Sequence, residues 1–313
     1  MRTLIILALL AAPASGASAP GESGLLGFLE SGLASTAGPG PGKTADAPPP
    51  AEEDGIDATK LLVSSGLVSS VIGGYLVYGY TKWWDDELEP FHYSDEGALQ
   101  KDSYVGGVDK FGHLWGCLVL HRGISGLLQW SGVDPLPATL VGAGLVQALF
   151  LFAEIEDAFY DYGWSDADIV FNLLGSALGL ALDLLPALDD LVDFRVWYRP
   201  TPYLNRRDFN VAEDYSGQKF FLVLKGGGVP FLEGTGLEYL ELWAGYDAPG
   251  YRRYRERRER RVFFGLSLDL GRVIREFLFP VLRPPEVAEI ASDFLFEHWQ
   301  PYPVHAPVYQ HTF

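Results

Sequence analysis

Residues Glu154 to Gly179 read EIEDAFYDYGWSDADIVFNLLGSALG, and they decide how the rest of the chain is interpreted. One apolar segment ends in carboxylates, a short Tyr-Gly-Trp turn follows, and the next apolar segment opens on Asp166 and Asp168. Upstream, Asp109-Lys110-Phe111-Gly112-His113 opens a third apolar segment in the same way. Burying such groups without partners costs several kcal/mol, so they must bind one another, a metal, a ligand or water.

Helical periodicity gives these groups a geometry. Asp109 and His113 are four apart and share a helix face, as do Asp168 and Asn172. Glu154, Asp157 and Asp161 are spaced three and four apart and face one way. Three readings stay open. Asp109, His113, Glu154, Asp157, Asp168 and Asn172 are enough ligands for a divalent metal. Alternatively Glu154, His113 and Asp168 form an acid–base site, one carboxylate acting as general base beside the imidazole. In the structural alternative they form a hydrogen-bond network, with Asp109 capping its helix and Ser165-Asp-Ala-Asp168 serving as a near capping box. His121 and Arg122 are expected to be a solvated or headgroup-facing pair outside the site.

Around this centre the spacing predicts four helices: Leu61–Tyr80, Asp109–Trp130, Ala138–Tyr160 and Ser165–Leu188, with Pro135 and Pro137 as breakers. Leu61–Tyr80 carries no charge over about 20 residues, the length that crosses a bilayer core. Tyr78, Tyr80, Trp83 and Trp84 suit its interfacial end, so a membrane helix is favoured over a buried core helix. Gly175-Ser-Ala-Leu-Gly179 is a small-xxx-small packing face.

The two ends differ from this bundle. Met1-Arg2-Thr3 and the apolar run Leu4–Ala12 predict a signal peptide over residues 1–17, cut after Ala17. Residues 18–58, rich in Pro, Gly and Ala, predict a disordered tether. Cys117, the only cysteine, lies within an apolar segment, so neither a lipid anchor near the mature start nor an internal disulfide is expected. After residue 190 the pattern changes to strands: Phe194–Tyr198, Lys219–Leu224, Leu237–Tyr246 and Val262–Leu270. A last helix over Pro285–Phe296 and an irregular tail from Trp299 complete the chain. The basic run Arg252–Arg261 is either a contact for lipopolysaccharide phosphates or an acidic partner, or a solvated hairpin tip.

The resulting fold class is α+β. An N-terminal bundle of about four apolar helices over 59–190, membrane-embedded or membrane-associated, precedes a small antiparallel β-rich part over 191–313. Four or five strands cannot close a transmembrane barrel, whose minimum is about eight. A formal charge of -18 argues against a nucleic-acid partner. The expected partners are membrane lipid and an envelope protein.

The set D-K-x-x-H, E-x-x-D and G-W-S-x-x-D-x-x-x-N-x-x-G resembles the YfiM-type family of predicted periplasmic lipoproteins. Its residues here are Asp109, Lys110, His113, Glu154, Asp157, Gly163, Trp164, Ser165, Asp168, Asn172 and Gly175. The order is more distantly similar to the VanZ-like membrane proteins, although Asp157 stands where those carry glutamine. The resemblance implies a cell-envelope protein of unassigned chemistry. No G-x-S-x-G, H-E-x-x-H or C-x-x-C signature occurs, so the serine-hydrolase, zincin and thiol-redox templates lack their local marks. Two functions therefore remain open: an envelope scaffold or binding protein with a buried polar site, or a metal-dependent or acid–base hydrolase or transferase acting on a lipid or cell-wall substrate.

Overall fold

The computed structural model describes residues 55–95, 97–103, 105–202, 204, 210–251, 258–301 and 305–313. The expected signal peptide, nearly all of the tether and most of the basic run Arg252–Arg261 lie outside them.

The four expected helices are present as α1 (Ala58–Lys82), α2 (Val108–Trp130), α3 (Pro135–Asp157) and α4 (Asp166–Leu184). Asp57 starts α1 by accepting the Thr59 and Lys60 N–H groups at 2.8 and 3.0 Å. Ser165 starts α4 by accepting the Asp168 N–H at 3.2 Å. Asp109 does not cap α2, because Gly107 holds that position and Asp109 turns to Lys110 instead. Pro135 occupies the first turn of α3 rather than breaking it, since its missing N–H would have had no partner there. The helix stops at Asp157, so Asp161 falls beyond it and is exposed, away from Glu154.

Gly175 and Gly179 explain why α2 and α4 pack so closely. A Cβ at Gly175 would collide with the Leu114 carbonyl, and one at Gly179 would stand 2.8 Å from the His121 ring. By length and composition, α1, α3 and α4 are each able to cross a membrane. Helix α2, with Asp109, Lys110 and Arg122, is not among them.

A four-residue helix, α5 (Pro186–Asp189), leads into the sheet. The sheet comprises β1 (Val192–Tyr198), β2 (Gln218–Lys225), β3 (Leu240–Asp247), β4 (Arg261–Leu268) and β5 (His305–Thr312), antiparallel and in chain order. β5 replaces the expected irregular tail. Between β4 and β5 the chain forms α6 (Leu270–Val273), a π-turn (Ile274–Leu278), α7 (Phe279–Leu282) and α8 (Glu286–His298). The chain then returns beside β1, where Gln300 N–H bonds the Val196 carbonyl at 2.8 Å.

One face of the sheet meets the bundle. Phe111 of α2 packs on Phe194, Phe220 and Tyr246, each ring centroid 5.0 to 6.4 Å from its own. The opposite face is buried around Phe221, Val223, Trp243 and Phe263. Buried charge lies there too: Arg195 pairs with Asp193 and Glu241, and Glu241 accepts from Ser267 at 2.7 Å. This accounts for Glu241 breaking the apolar alternation of β3, because it points inward to Arg195.

Candidate functional site

Helices α2, α3 and α4 bring together all six residues named from the sequence. Asp109 and His113 lie one turn apart on α2, as their spacing requires. His113 Nδ1 lies 2.9 Å from Asn172 Oδ1 on α4. Its Nε2 lies 3.6 Å from Asp168 Oδ1, and Nδ1 lies 3.6 Å from Glu154 Oε1 on α3. Asn172 also points its amide nitrogen at Glu154 Oε1, at 3.5 Å. Its own position is held through its main-chain carbonyl by Gln147 Nε2 at 2.9 Å.

Glu154 is almost wholly buried, and the named polar contacts of its carboxylate stand at 3.5 and 3.6 Å. Those are long for hydrogen bonds to an ion. Asp168 and Asp109 are held differently. Lys110, with no exposed surface, places its ammonium 2.7 Å from Asp109 Oδ2 and 2.8 Å from Asp168 Oδ1. Asp157 stands at the edge of the group and accepts from the Trp84 indole at 2.6 Å.

Four carboxylates thus surround one ammonium and one imidazole. Burial alone would push the imidazole pKa down, but Asp168, Glu154 and Asp109 outweigh it and raise His113 from 6.5 to about 9. The cluster calls for positive charge, whether as a proton on His113 or as a bound cation. One donor atom from each of His113, Glu154 and Asp168 lies within 4.8 Å of the other two. Where a cation replaces the second proton, His113 would keep Nδ1–H on Asn172 and turn the Nε2 lone pair toward Asp168. Histidine metal ligands are commonly oriented through such a bond.

The cluster forms one wall of a cavity of about 670 Å³ between the bundle and the sheet. Asp109, His113, Asp157 and Asp168 line that wall. Tyr75, Trp83, Trp115, Leu120, Phe150, Val196, Phe220 and Trp299 line much of the remainder. The arrangement is an apolar chamber with an acidic, cation-seeking floor.

Sequence reasoning named the carboxylates but missed three supports. Lys110 stood in the motif without an assigned role, although its place next to Asp109 was the available signal. Trp84 was expected in an interfacial aromatic belt, but it is buried with its indole on Asp157; Gln147 carried no signal, because only the folded packing brings it in. His121 and Arg122 were expected in solvent or among headgroups, and the structure overturns this. His121 is buried against Thr139 and Asp183, at 2.8 and 3.2 Å. Arg122 bonds Asp183, Asp189 and Glu297, which converge on it from three elements.

Residues 95–183 match the profile of a family described as predicted periplasmic lipoprotein (DUF2279). That stretch contains every residue of the cluster. No curated protein and no solved structure matches the chain. In keeping with that description and with the apolar helices, the protein is exported to the cell envelope and is membrane-associated.

Proposed function

We propose that this envelope protein binds an amphiphile, with its apolar part in the cavity and its polar group on the wall formed by Asp109, His113, Asp157 and Asp168. The observation that carries the reading is the cavity itself. Apart from that wall, and from Glu213 and Gln218, which are engaged by Tyr162 and by the Val211 and Ala212 carbonyls, its lining is mostly aromatic and aliphatic, the composition of a site that desolvates one end of a ligand and orients the other. The carboxylate oxygens on that wall favour a head group rich in hydrogen-bond donors over a bare anion. The order of the D-K-x-x-H, E-x-x-D and G-W-S motifs supports grouping the chain with the YfiM-type proteins and, further off, with the VanZ-like proteins. The grouping adds no chemistry of its own.

Filling the chamber tests this directly. Val119 lines it, and Val119→Trp is expected to cut binding of a fluorescent single-chain amphiphile at least tenfold while the variant unfolds as wild type does. A folded variant that binds like wild type would overturn the reading.

The spacing of His113, Glu154 and Asp168 favours a second reading, a divalent cation held at the cavity floor. Such an ion supplies Lewis-acid polarisation or an activated water. His113 would offer Nε2, Glu154 and Asp168 would offer carboxylate oxygens, and Asn172 would orient the imidazole. Elemental analysis of the purified protein beside His113→Ala and Glu154→Gln decides it. Stoichiometric metal in wild type, lost in both folded variants, supports the site and an enzyme; no metal after reloading rejects it.

A further inference from the structure

The sheet has its polarity inverted. On the face away from the bundle lie Asp193, Arg195, Glu241, Asp247 and Ser267, buried beside Phe221, Val223, Trp243 and Phe263. On the other side the register aligns rows of apolar residues: Phe194–Leu222–Ala244–Phe264, then Val192–Leu224–Leu242–Leu266, then Leu240–Leu268. No charged residue stands in these rows. The neighbouring row, Val196–Phe220–Tyr246, is covered by α2. Beyond it the face is open: Leu222, Leu224, Leu240, Leu242, Phe264, Leu266 and Leu268 are each between 36% and 57% exposed. Charges inside and leucines outside is the pattern of strands in lipid, and an open patch of this kind is rare on a soluble monomer.

We propose that this open face lies among the acyl chains of one membrane leaflet, beside the apolar helices. Three observations choose lipid over a protein partner. First, the exposed apolar stripe of a candidate spanning helix leads along the chain into this sheet. Val170, Leu173 and Leu174 of α4 are exposed, and the helix runs out in exposed Leu184 and Leu185 shortly before β1 begins. Second, the composition is aliphatic. Protein interfaces draw their binding energy from Trp, Tyr and Arg, with Leu under-represented, and six of these seven residues are Leu. Third, the height fits. From Leu240 to Ala244 the strand rises about 13 Å at ~3.3 Å per residue, close to half of a ~30 Å hydrocarbon core. An exposed Tyr309 beside Phe264 occupies the edge of the patch, where an amphipathic ring suits the headgroup boundary.

Nitroxide labels on the full-length chain test this in vesicles of phosphatidylethanolamine and phosphatidylglycerol. Leu224→Cys, Leu242→Cys and Leu266→Cys report the face, and Asp86→Cys reports water. Wild type, whose Cys117 is buried, sets the labelling background. Lipid insertion predicts that at two or more of the three sites oxygen, which partitions into lipid, broadens the signal more than a water-soluble nickel chelate does. The Asp86→Cys label should show the reverse. Nickel accessibility like that of Asp86→Cys would show a wet face and overturn the proposal. Shielding from both reagents would also overturn it, because protein would then cover the face.

Discussion

Lys110 and Glu154 illustrate how differently two buried charges can be held at one site. The Lys110 ammonium is the close counter-ion of Asp109 and Asp168. Lys110→Met strands both carboxylates in a dry environment, and the expected loss of stability is about 3–5 kcal/mol in denaturant titrations. Glu154 makes only long contacts in a buried setting that disfavours its charge, so Glu154→Gln is expected to cost less than about 1 kcal/mol. On the metal reading the same variant should lose the ion. Equal destabilisation by the two substitutions would mark Glu154 as a structural group. His298 gives a pH-dependent prediction. Burial, opposed by its bond to the Phe294 carbonyl and reinforced by Arg122, lowers its pKa from 6.5 to about 4. Between these values the unfolded chain binds the extra proton. The stability contributed by neutral His298 is therefore complete above pH 6.5 and is lost as pH falls through 4, by up to about 3 kcal/mol. His298→Asn should flatten that part of the stability profile relative to wild type. Glu297, which burial pushes up to about 7, titrates in both proteins and drops out of the difference. Parallel profiles would refute the assignment. At this scale the sequence revealed Asp109, His113, Asp168 and Asn172 because a four-residue spacing is local information. It hid the burial of His121 and Arg122, because Asp183, Asp189 and Glu297 reach them from distant parts of the chain.

Helices were more legible than strands, for a physical reason. Long uncharged runs with polar ends specify a helix whatever it packs against, so all four bundle helices were expected and only their ends moved. Each shift has a local cause. Pro135 is harmless in a first turn, and α4 ends at Leu184 because Pro186 cannot continue it. β5 was invisible because its pairing with β4 depends on a partner some 40 residues earlier and is interrupted by a bulge. The expected strand Val262–Leu270 ran two residues past the end of β4, since Leu-Asp-Leu gives no sign of the turn that Asp269 caps through the Arg272 N–H. The small-residue face of α4 was correctly anticipated, and it carries the prediction for this scale. Gly175→Val must push α4 away from the Leu114 carbonyl, at an expected cost of about 1–3 kcal/mol. The shift would carry Asn172, one turn earlier, away from His113. Ligand affinity should therefore fall even in protein that remains folded at the assay temperature. Gly144→Ala, where an added Cβ meets nothing within an exposed helix turn, is the control and should not destabilise, gaining up to about 1 kcal/mol from helix propensity.

Arg122 ties the helical and β-rich parts into one molecule, and no single segment of sequence announces this. Its guanidinium holds Asp183 at the end of α4, Asp189 in α5 and Glu297 in α8. Nearby, the Trp115 indole donates to the His298 carbonyl at 2.9 Å, so α2 grips α8 at two points. α8 in turn leads the chain to Gln300, which pairs beside β1 and closes one side of the cavity through Trp299. Arg122→Met should consequently loosen α8 and the Trp299 wall before it loosens the bundle. Asp183 is buried and loses its counter-ion, whereas Asp189 and Glu297 are partly exposed and can rehydrate. The cost should therefore lie near the low end for a broken buried pair, about 3 kcal/mol. Hydrogen exchange followed peptide by peptide gives the decisive readout. Faster exchange over Glu286–Gln300, with α3 and α4 protected as in wild type, would identify Arg122 as the clasp that keeps the cavity closed. Uniform acceleration across all helices would make it an ordinary core contact, and the cavity would then owe its shape to the bundle alone.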